Sequence, residues 1–276
     1  HGDDGIYLQG YYDTTCDGLE VVNNYVHHNQ NDAITFRGNS HNALIENNEI
    51  TANSQTGISF GGGSGHILRG NNIHFNGKDG MRGGGDHIVI EFNKLYDQFH
   101  TDLHPDGMDL GDMSDSILRY NTLYDFTQLM YFHDFDNGGG FINLQIYGNV
   151  FYTDRYWTVS GGEAPAIFFD ASFHNSPITN VKIHSNTFLW TGYKGIIMYG
   201  GPLDGVTISD NVFYDSSIDL DGRTLGVKSD YNLFYNSRGP SNEGPNSITS
   251  NPQFVNYTRH QSWNVRVKST SPAINK

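Results

Sequence analysis

The chain has 276 residues, of which 36% are hydrophobic, 13% aromatic and only 17% charged, and it contains 33 glycines. This mixture is typical of an all-β protein with many turns and few amphipathic helices. The formal net charge of −14 argues against nucleic acid or an anionic membrane as a partner, and no apolar run approaches the roughly 20 residues of a membrane span.

One short pattern recurs along the chain: an apolar residue, two variable residues, Asn, one variable residue and a second apolar residue. Its copies are VVNNYV (21–26), IENNEI (45–50), LRGNNI (68–73), IEFNKL (90–95), LRYNTL (118–123), IYGNVF (146–151), IHSNTF (183–188), ISDNVF (208–213) and the weaker DYNLF (230–234). A period mostly in the twenties, with β-branched flanks, predicts one coil of a parallel β-helix. We therefore expect an all-β, single-stranded, right-handed parallel β-helix of about nine to ten coils. One domain should span 1–276, with regular coils in 1–235 and an irregular tail or closing coil in 236–276.

The repeated asparagines should stack on one another from coil to coil. They are Asn24, Asn48, Asn71, Asn93, Asn121, Asn149, Asn186, Asn211 and Asn232. Adjacent coils lie about 4.8 Å apart, so each amide can bond the next across a bend. Such a buried hydrogen bond contributes on the order of 1 kcal/mol. We assign these asparagines a structural role, as an internal Asn ladder.

A second strand follows each Asn strand, as in DAITF (32–36), TGISF (56–60) and DGMDL (106–110). Side chains alternate between the two faces of a strand, so the apolar pairs of these segments should point inward. The pairs are Ile34/Phe36, Ile58/Phe60, Met108/Leu110 and Met130/Phe132. The residues between and after them must then point outward.

In the middle of the chain the outward positions are ionisable or polar: they are Arg82, Asp109, Tyr131, His133 and Asp170. In register they form one patch across four coils, beside glycines that leave room for a polymer. Breaking or inverting a uronate at its fifth carbon needs a cation for the substrate carboxylate, a base and an acid. We predict that Arg82 neutralises the carboxylate and His133 is the base. Tyr131 would donate a proton, and Asp170 would orient the ring of His133.

The competing interpretation of this patch is purely structural. It consists of an ion pair between Arg82 and Asp109 across adjacent coils, with His133 merely exposed. A partly exposed pair contributes only about 0–1 kcal/mol, so stability alone explains the clustering of so many ionisable groups poorly.

The first long connection runs from Leu95 to Met108 and takes 13 residues, where regular coils take about eight. Insertions in solenoids map to loops, and clustered loops often build a binding face. Within it, His100, Asp102 and His104 belong to no ladder, so we predict that they bind substrate. Together with Asp109 they could also bind a cation such as calcium through oxygen ligands.

The second insertion, YTDRYWTVSGGEAP, is rich in ring and guanidinium groups. We predict that Arg155, Tyr156 and Trp157 bind substrate, with the rings stacked on sugar faces. The alternative is a loop that packs only on its own coil.

Asp106 recurs in register as Asp4, Asp32 and Asp79, always just before a strand. Aspartate favours such turn positions because its side chain bonds nearby backbone. Turn chemistry is therefore the preferred explanation for Asp79 and Asp106.

Over nearly all of its length the repeat resembles the pectate-lyase-like superfamily of right-handed β-helix proteins. That group includes pectate and alginate lyases, mannuronan epimerases, polygalacturonases and phage tailspikes, so the resemblance implies a secreted protein that works on a polysaccharide. YFHD at 131–134 is similar to the Asp-Pro-His-Asp/Glu motif of mannuronan epimerases and places His133 on the catalytic histidine, although Tyr131 and Phe132 replace the first two residues. DGMD at 106–109 resembles the polygalacturonase motif Asn-Thr-Asp-Gly-x-Asp, with His104 and Pro105 in place of Asn-Thr.

We therefore predict a lyase or C5 epimerase that acts on a uronate-containing polymer. Two alternatives stay open: a glycoside hydrolase in which Asp109 acts with Asp102 or Asp106, and a non-catalytic carbohydrate-binding or adhesion protein. The expected partner is a polysaccharide, with neither nucleic acid nor membrane, and we expect a secreted monomer. The chain opens mid-pattern at His1 without a visible signal peptide, so we expect a leader that was removed or a piece of a longer protein.

Overall fold

A computed structural model describes residues 3–10, 15–97, 105–134, 138–153, 165–191, 194–237, 243–258 and 262–274. The regular secondary structure in these ranges consists of β-strands. Within the same ranges, no helix is long and apolar enough to cross a membrane.

Three parallel sheets run along the molecule, and each coil contributes one strand to each of them. The first, here called the cleft sheet, stacks Ile6–Gly10, Ile34–Gly38, Ile58–Gly61, Met81–Asp86, Asp106–Ser114, Gln128–His133, Ile167–Ala171, Ile196–Gly200 and Ile218–Asp219. The second sheet stacks Glu20–Val22, Leu44–Glu46, Ile67–Arg69, Val89–Glu91, Ile117–Arg119, Gln145–Tyr147, Lys182–His184, Val206–Ser209 and Val227–Asp230. The third stacks Tyr25–His27, Glu49–Thr51, Asn72–His74, Lys94–Tyr96, Thr122–Tyr124, Val150–Tyr152, Thr187–Leu189, Val212–Tyr214, Leu233–Tyr235 and Ile248–Thr249.

Shorter strands complete the described structure. Phe141–Ile142, Ile178–Thr179 and Leu203–Asp204 extend the edge of the cleft sheet, and Cys16–Asp17 pairs with Ser40–His41. In the segment predicted as a tail, Ile248–Thr249 still adds to the third sheet, and Phe254–Thr258 and Ser262–Val267 form an antiparallel pair. The parallel β-helix is confirmed, although nine strands along the cleft sheet enclose only about eight complete turns.

The recurring Asn motif is a corner between two strands, so the prediction of a single Asn strand is wrong. In IENNEI, for example, Leu44–Glu46 belongs to the second sheet and Glu49–Thr51 to the third. The residue before the ladder Asn has a left-handed backbone, with φ of 54° at Asn47 and 57° at Phe92. One left-handed residue bends the chain sharply between the two strands. Each coil therefore has three strands where the sequence predicted two.

The asparagines behind these corners form a continuous hydrogen-bonded ladder, as predicted. The Asn93 amide donates to Asn121 Oδ1 and the Asn121 amide to Asn149 Oδ1, both at 3.0 Å. Each side chain also binds backbone, as Asn121 Nδ2 does with Ile90 O at 2.9 Å. The ladder thus ties three consecutive coils together at every inner rung.

A second and shorter Asn ladder escaped the sequence analysis. Asn29 donates to Asn53 at 2.7 Å, and Asn53 donates to Asn76 at 2.9 Å. These residues lie at the next corner of the early coils, after Thr51 in the third sheet. Their spacing of 24 and 23 residues matches the main repeat. This spacing could have revealed the second ladder from the sequence.

The core is the stacked interior of the three sheets. All four inward apolar pairs predicted for the cleft sheet are buried, with Phe60 the most exposed at 3%. Rings stack along the interior as well: Phe188 lies 5.2 Å from Phe151 and 4.6 Å from Phe213, between ring centroids. The alternation of faces therefore places the intervening side chains of the cleft sheet outside.

The aspartates before the strands of the cleft sheet bind the backbone of the next coil, in agreement with the turn chemistry predicted for them. Asp32 Oδ1 accepts from the Thr56 N–H at 2.9 Å, and Asp79 Oδ1 from the Asp106 N–H at 3.1 Å. Asp79 is only 1% exposed. Burial, together with the negative charges of Asp106 and Asp109, raises the pKa of Asp79 to about 7.

Replacing a middle rung should destabilise the fold far more than replacing an end rung. Asn121→Ala removes the bonds to Asn149 and Ile90 and leaves the Asn93 amide without its acceptor, so we expect a loss of about 2–4 kcal/mol in the free energy of unfolding. Asn24→Ala is the control, because Asn24 is exposed and ends the ladder; it should cost less than about 1 kcal/mol. Equal losses in urea titrations would contradict the ladder's role.

The raised pKa of Asp79 predicts a pH-dependent stability. The folded protein keeps this proton up to about pH 7, whereas the unfolded chain loses it near pH 4. The free energy of unfolding should therefore fall as pH rises from about 4 to 7, by roughly 2–4 kcal/mol at about 1.4 kcal/mol for each pKa unit. Asp79→Asn keeps the acceptor but has no proton to lose, so its stability should fall less.

Thermal unfolding across this pH range measures the difference between the wild-type protein and Asp79→Asn. The exposed Asp204 supplies the charge-matched control, because Asp204→Asn removes one carboxylate from the surface. Parallel curves for the wild-type protein and Asp79→Asn would show that Asp79 is ionised throughout.

Candidate functional site

The outward positions of the cleft sheet lie in one column, as the sequence predicted. Arg82 pairs in register with Asp109, Asp109 with Tyr131, and Tyr131 with Phe168. His133 pairs with Asp170 in the parallel column beside it. Residues 22 to 37 positions apart in the chain thus become neighbours on one surface.

An open cavity of about 440 Å³ lies on this surface. Its ionisable lining is Arg37, Arg82, Asp109, Asp112 and His133. Glycines at 61–62, 83–85 and 111 form much of the remaining wall. The cavity is therefore a polar trough with a floor of backbone, which matches the free space expected beside the patch.

At one end of the trough, Asp109 contacts both a cation and an imidazole. Its Oδ2 lies 3.3 Å from Arg82 Nε, and its Oδ1 lies 2.6 Å from His133 Nε2. The Arg82 side chain is 48% exposed, whereas those of Asp109 and His133 are 12% and 5% exposed. The carboxylate is thus held between a solvent-accessible guanidinium and a nearly buried ring.

Tyr131 and Asp170 adjoin this arrangement on the following coils. The Tyr131 hydroxyl donates to Asp170 Oδ2 at 3.3 Å, and its ring centroid lies 5.3 Å from that of His133. Burial is the main cause that raises the pKa of Tyr131, and the charge of Asp170 raises it further. Neither residue is among those that line the trough.

Two details of the predicted site need correction. Asp109 occupies the position beside the His133 imidazole that the sequence analysis gave to Asp170, because the side chains reach diagonally between coils. Asp170 instead accepts from Tyr131 and from Ser172, whose hydroxyl lies 2.5 Å from Asp170 Oδ1. The purely structural interpretation also fails in part: the contact between Arg82 and Asp109 exists, but His133 is only 4% exposed.

The predicted loop residues lie outside the described part of the chain. They are His100, Asp102 and His104 in the first insertion and Arg155, Tyr156 and Trp157 in the second. Their proposed contacts with substrate stay predictions.

The sequence analysis missed two residues of the trough. Arg37 was overlooked because it lies two strands before the patch, and Asp112 because it follows the pair Met108/Leu110. Asp112 accepts from the backbone N–H groups of Gly139 and Gly140 at 2.9 and 3.0 Å. For Arg37 the signal was its place in the same outward column as His133.

Asp109 and the carboxylates beside it fit a calcium site poorly. Asp79, Asp106 and Asp109 each bring one ligand atom into a group with mutual distances within 4.8 Å, but calcium takes about 6–8 oxygen ligands. The two oxygens of Asp109 already lie close to nitrogen atoms of Arg82 and His133, and Asp79 Oδ1 already accepts from backbone. This group is therefore better described as a buried carboxylate cluster than as a calcium shell.

Comparisons with known proteins agree with this architecture. The structure is similar to that of pectate lyase Pel9A, with 12% identity, a TM-score of 0.56, and coverage of 98% of this chain and 79% of that one. It also resembles XylC, solved in complex with xylose (13% identity, TM-score 0.50, coverage of 87% and 53%), and the Dettilon tailspike protein gp208 (18% identity, TM-score 0.50, coverage of 77% and 41%). This chain thus matches only about half or less of the length of the latter two proteins.

No curated protein gave a significant sequence match. Residues 4–164, more than half of the chain, match the family model described as "Right handed beta helix region". At such low identities the similar structures establish the fold alone. The stacked parallel strands, the Asn ladder and this match together show that the chain belongs to the right-handed β-helix family.

Proposed function

We propose that this protein acts on an acidic polysaccharide by removing the proton at the fifth carbon of a uronate. The observation that carries the proposal is the pair of contacts at Asp109, with Arg82 on one oxygen and His133 on the other, at the wall of an open trough. The same fold in a pectate lyase supports a polysaccharide as the substrate class, at the level of architecture only.

His133 is suited to the role of base. A neutral imidazole has a donor at one nitrogen and an acceptor at the other. His133 Nε2 lies 2.6 Å from Asp109 Oδ1, so the carboxylate adjoins the ring that takes the substrate proton. The carboxylate then stabilises the imidazolium that forms, as an orienting carboxylate does in other histidine bases.

Arg82 is suited to bind the substrate carboxylate. Its contact with Asp109 uses Nε, so the two terminal nitrogens of the guanidinium can face the trough. A guanidinium binds a carboxylate with two parallel hydrogen bonds. Neutralising this carboxylate makes the proton on the adjacent carbon more acidic and stabilises the negative charge that develops when the proton leaves.

Tyr131 would supply the opposing proton. Its raised pKa keeps the hydroxyl protonated near neutral pH, so it acts as a donor. In β-elimination the C4–O bond breaks as the C4=C5 double bond forms, and the leaving oxygen takes the proton. In epimerisation the proton returns to the fifth carbon from the opposite face.

The geometry supports a glycoside hydrolase less well. Such an enzyme needs two carboxyl groups that face each other across the sugar. Asp106 and Asp109 belong to one cluster of carboxylates whose ligand atoms lie within 4.8 Å of one another, so they adjoin each other and do not face each other across a sugar. The predicted partner Asp102 lies outside the described residues. A non-catalytic glycan-binding protein would use the same trough without turnover.

Product analysis distinguishes these activities. The protein should be incubated with polygalacturonate, alginate and a neutral xylan. We expect turnover of an acidic polymer only, because Arg82 recognises a carboxylate. Ultraviolet absorbance of a new double bond would identify a lyase, and inverted C5 configuration in the NMR spectrum an epimerase. Reducing ends without absorbance would contradict the proposal and favour a hydrolase; binding without any product would favour a binding protein.

Substituting His133 tests the base. We expect His133→Gln to lower kcat by about 10²–10⁴-fold, the usual contribution of general acid–base catalysis, with little change in KM. His27→Gln is the matched control, because His27 is an exposed histidine of the third sheet. Circular dichroism confirms that both variants fold. A folded His133→Gln protein with wild-type kcat would eliminate His133 as the base.

A further inference from the structure

Neither backbone conformation nor packing explains the glycine at position 61. A Cβ built there would meet no atom within 4 Å, and its φ lies outside the left-handed region. Gly18 and Gly222 also have open space, but each has a φ of 71°, which favours glycine. At Gly83 and Gly84 a Cβ would lie 2.1 and 2.6 Å from backbone oxygens. Gly61 therefore keeps a space open that the fold itself does not need.

That space belongs to the trough, and two cations border it. Gly61 pairs in register with Arg37 on the preceding coil, and Arg82 lies on the following one. All three residues line the same cavity as His133. The strands that carry Arg37 and His133 are four steps apart in the cleft sheet, or about 19 Å at the usual spacing. This distance is longer than one sugar ring.

The guanidinium group of Arg37 has nitrogen atoms that its contacts with Ser59 and Asp32 do not involve. Its Nη2 donates to Ser59 Oγ at 2.7 Å and lies 3.6 Å from Asp32 Oδ2. Both of these contacts with described residues involve Nη2, and the side chain is 52% exposed. The rest of the guanidinium can therefore face the trough as Arg82 does, with Ser59 and Asp32 holding it in place.

We propose that the space over Gly61 is a second sugar subsite, in which Arg37 binds the carboxylate of another uronate of the same chain. This inference rests on the proposed function and specifies how the polymer lies. The substrate runs parallel to the helix axis, from the reacting sugar at Arg82 and His133 over the glycine floor to the strand Ile34–Gly38. Arg37 and Gly61 thus set a preference for long acidic chains.

Affinity as a function of chain length tests the subsite. Binding of oligogalacturonates and oligoalginates, from dimer to hexamer, should be measured by calorimetry in the His133→Gln background, which stops turnover. We expect affinity to rise with length. Arg37→Gln, which removes the charge, and Gly61→Leu, which fills the space, should leave the dimer unaffected and weaken the hexamer about fivefold, as for a partly exposed ion pair.

Three controls distinguish loss of the subsite from a general loss of surface charge or of stability. Lys228→Gln removes an exposed charge from the second sheet and should change nothing. The effect of Arg37→Gln should shrink at high salt, because salt screens exposed charges, whereas that of Gly61→Leu should persist. Melting temperatures should stay near wild type, since the new side chain at position 61 meets open space.

The outcomes distinguish this inference from the proposed function. Wild-type affinity of both variants for the hexamer would overturn the subsite and leave the chemistry at His133 intact. Absence of binding to any acidic oligosaccharide by the wild-type protein would overturn both. Length-dependent binding that the two variants lose, in a protein without turnover on any acidic polymer, would support the subsite and reject the proposed reaction.

Discussion

The register between coils is the constraint on which the rest of the structure depends. The main Asn ladder fixes it, because each amide binds the asparagine of one neighbouring coil and the backbone of the other, as at Asn121. A slip by one residue would move every inward side chain to the surface. It would also leave buried amide groups without partners. The ladder therefore selects one alignment along the whole stack.

Exact stacking turns a repeated sequence position into a column of neighbours, and the column can concentrate charge. Asp79 and Asp106 occupy one such repeated position and Asp109 adjoins them; burial and the charges of these two neighbours raise the pKa of Asp79. Beside them, Arg82 on the preceding coil and His133 on the following coil both contact Asp109. The same stacking thus affects both stability and chemistry. On its buried side it brings carboxylates close together, and on its open side it forms the candidate site.

The floor of the trough is backbone that the coils hold in place, whereas the side chains on its walls can differ from one protein to another. Bulky side chains on the floor would close the trough, and its walls carry two exposed guanidinium groups, Arg37 and Arg82. The outward positions of a β-helix do not contribute to its core, so they can change without disturbing the fold. This separation explains how one architecture is found in a pectate lyase and in a phage tailspike.

The repeat and the alternation of side chains were sufficient to predict the stacked coils, the Asn ladder and the shared face of Arg82, Asp109 and His133, because both follow from local periodicity. The tertiary structure alone decided the rest. The corner in each motif depends on a left-handed residue whose identity varies, from Asn47 to Phe92, so it has no sequence signature. The pairing of His133 with Asp109 depends on side-chain direction between coils. Periodicity specifies which residues share a face, but only packing decides which atoms meet.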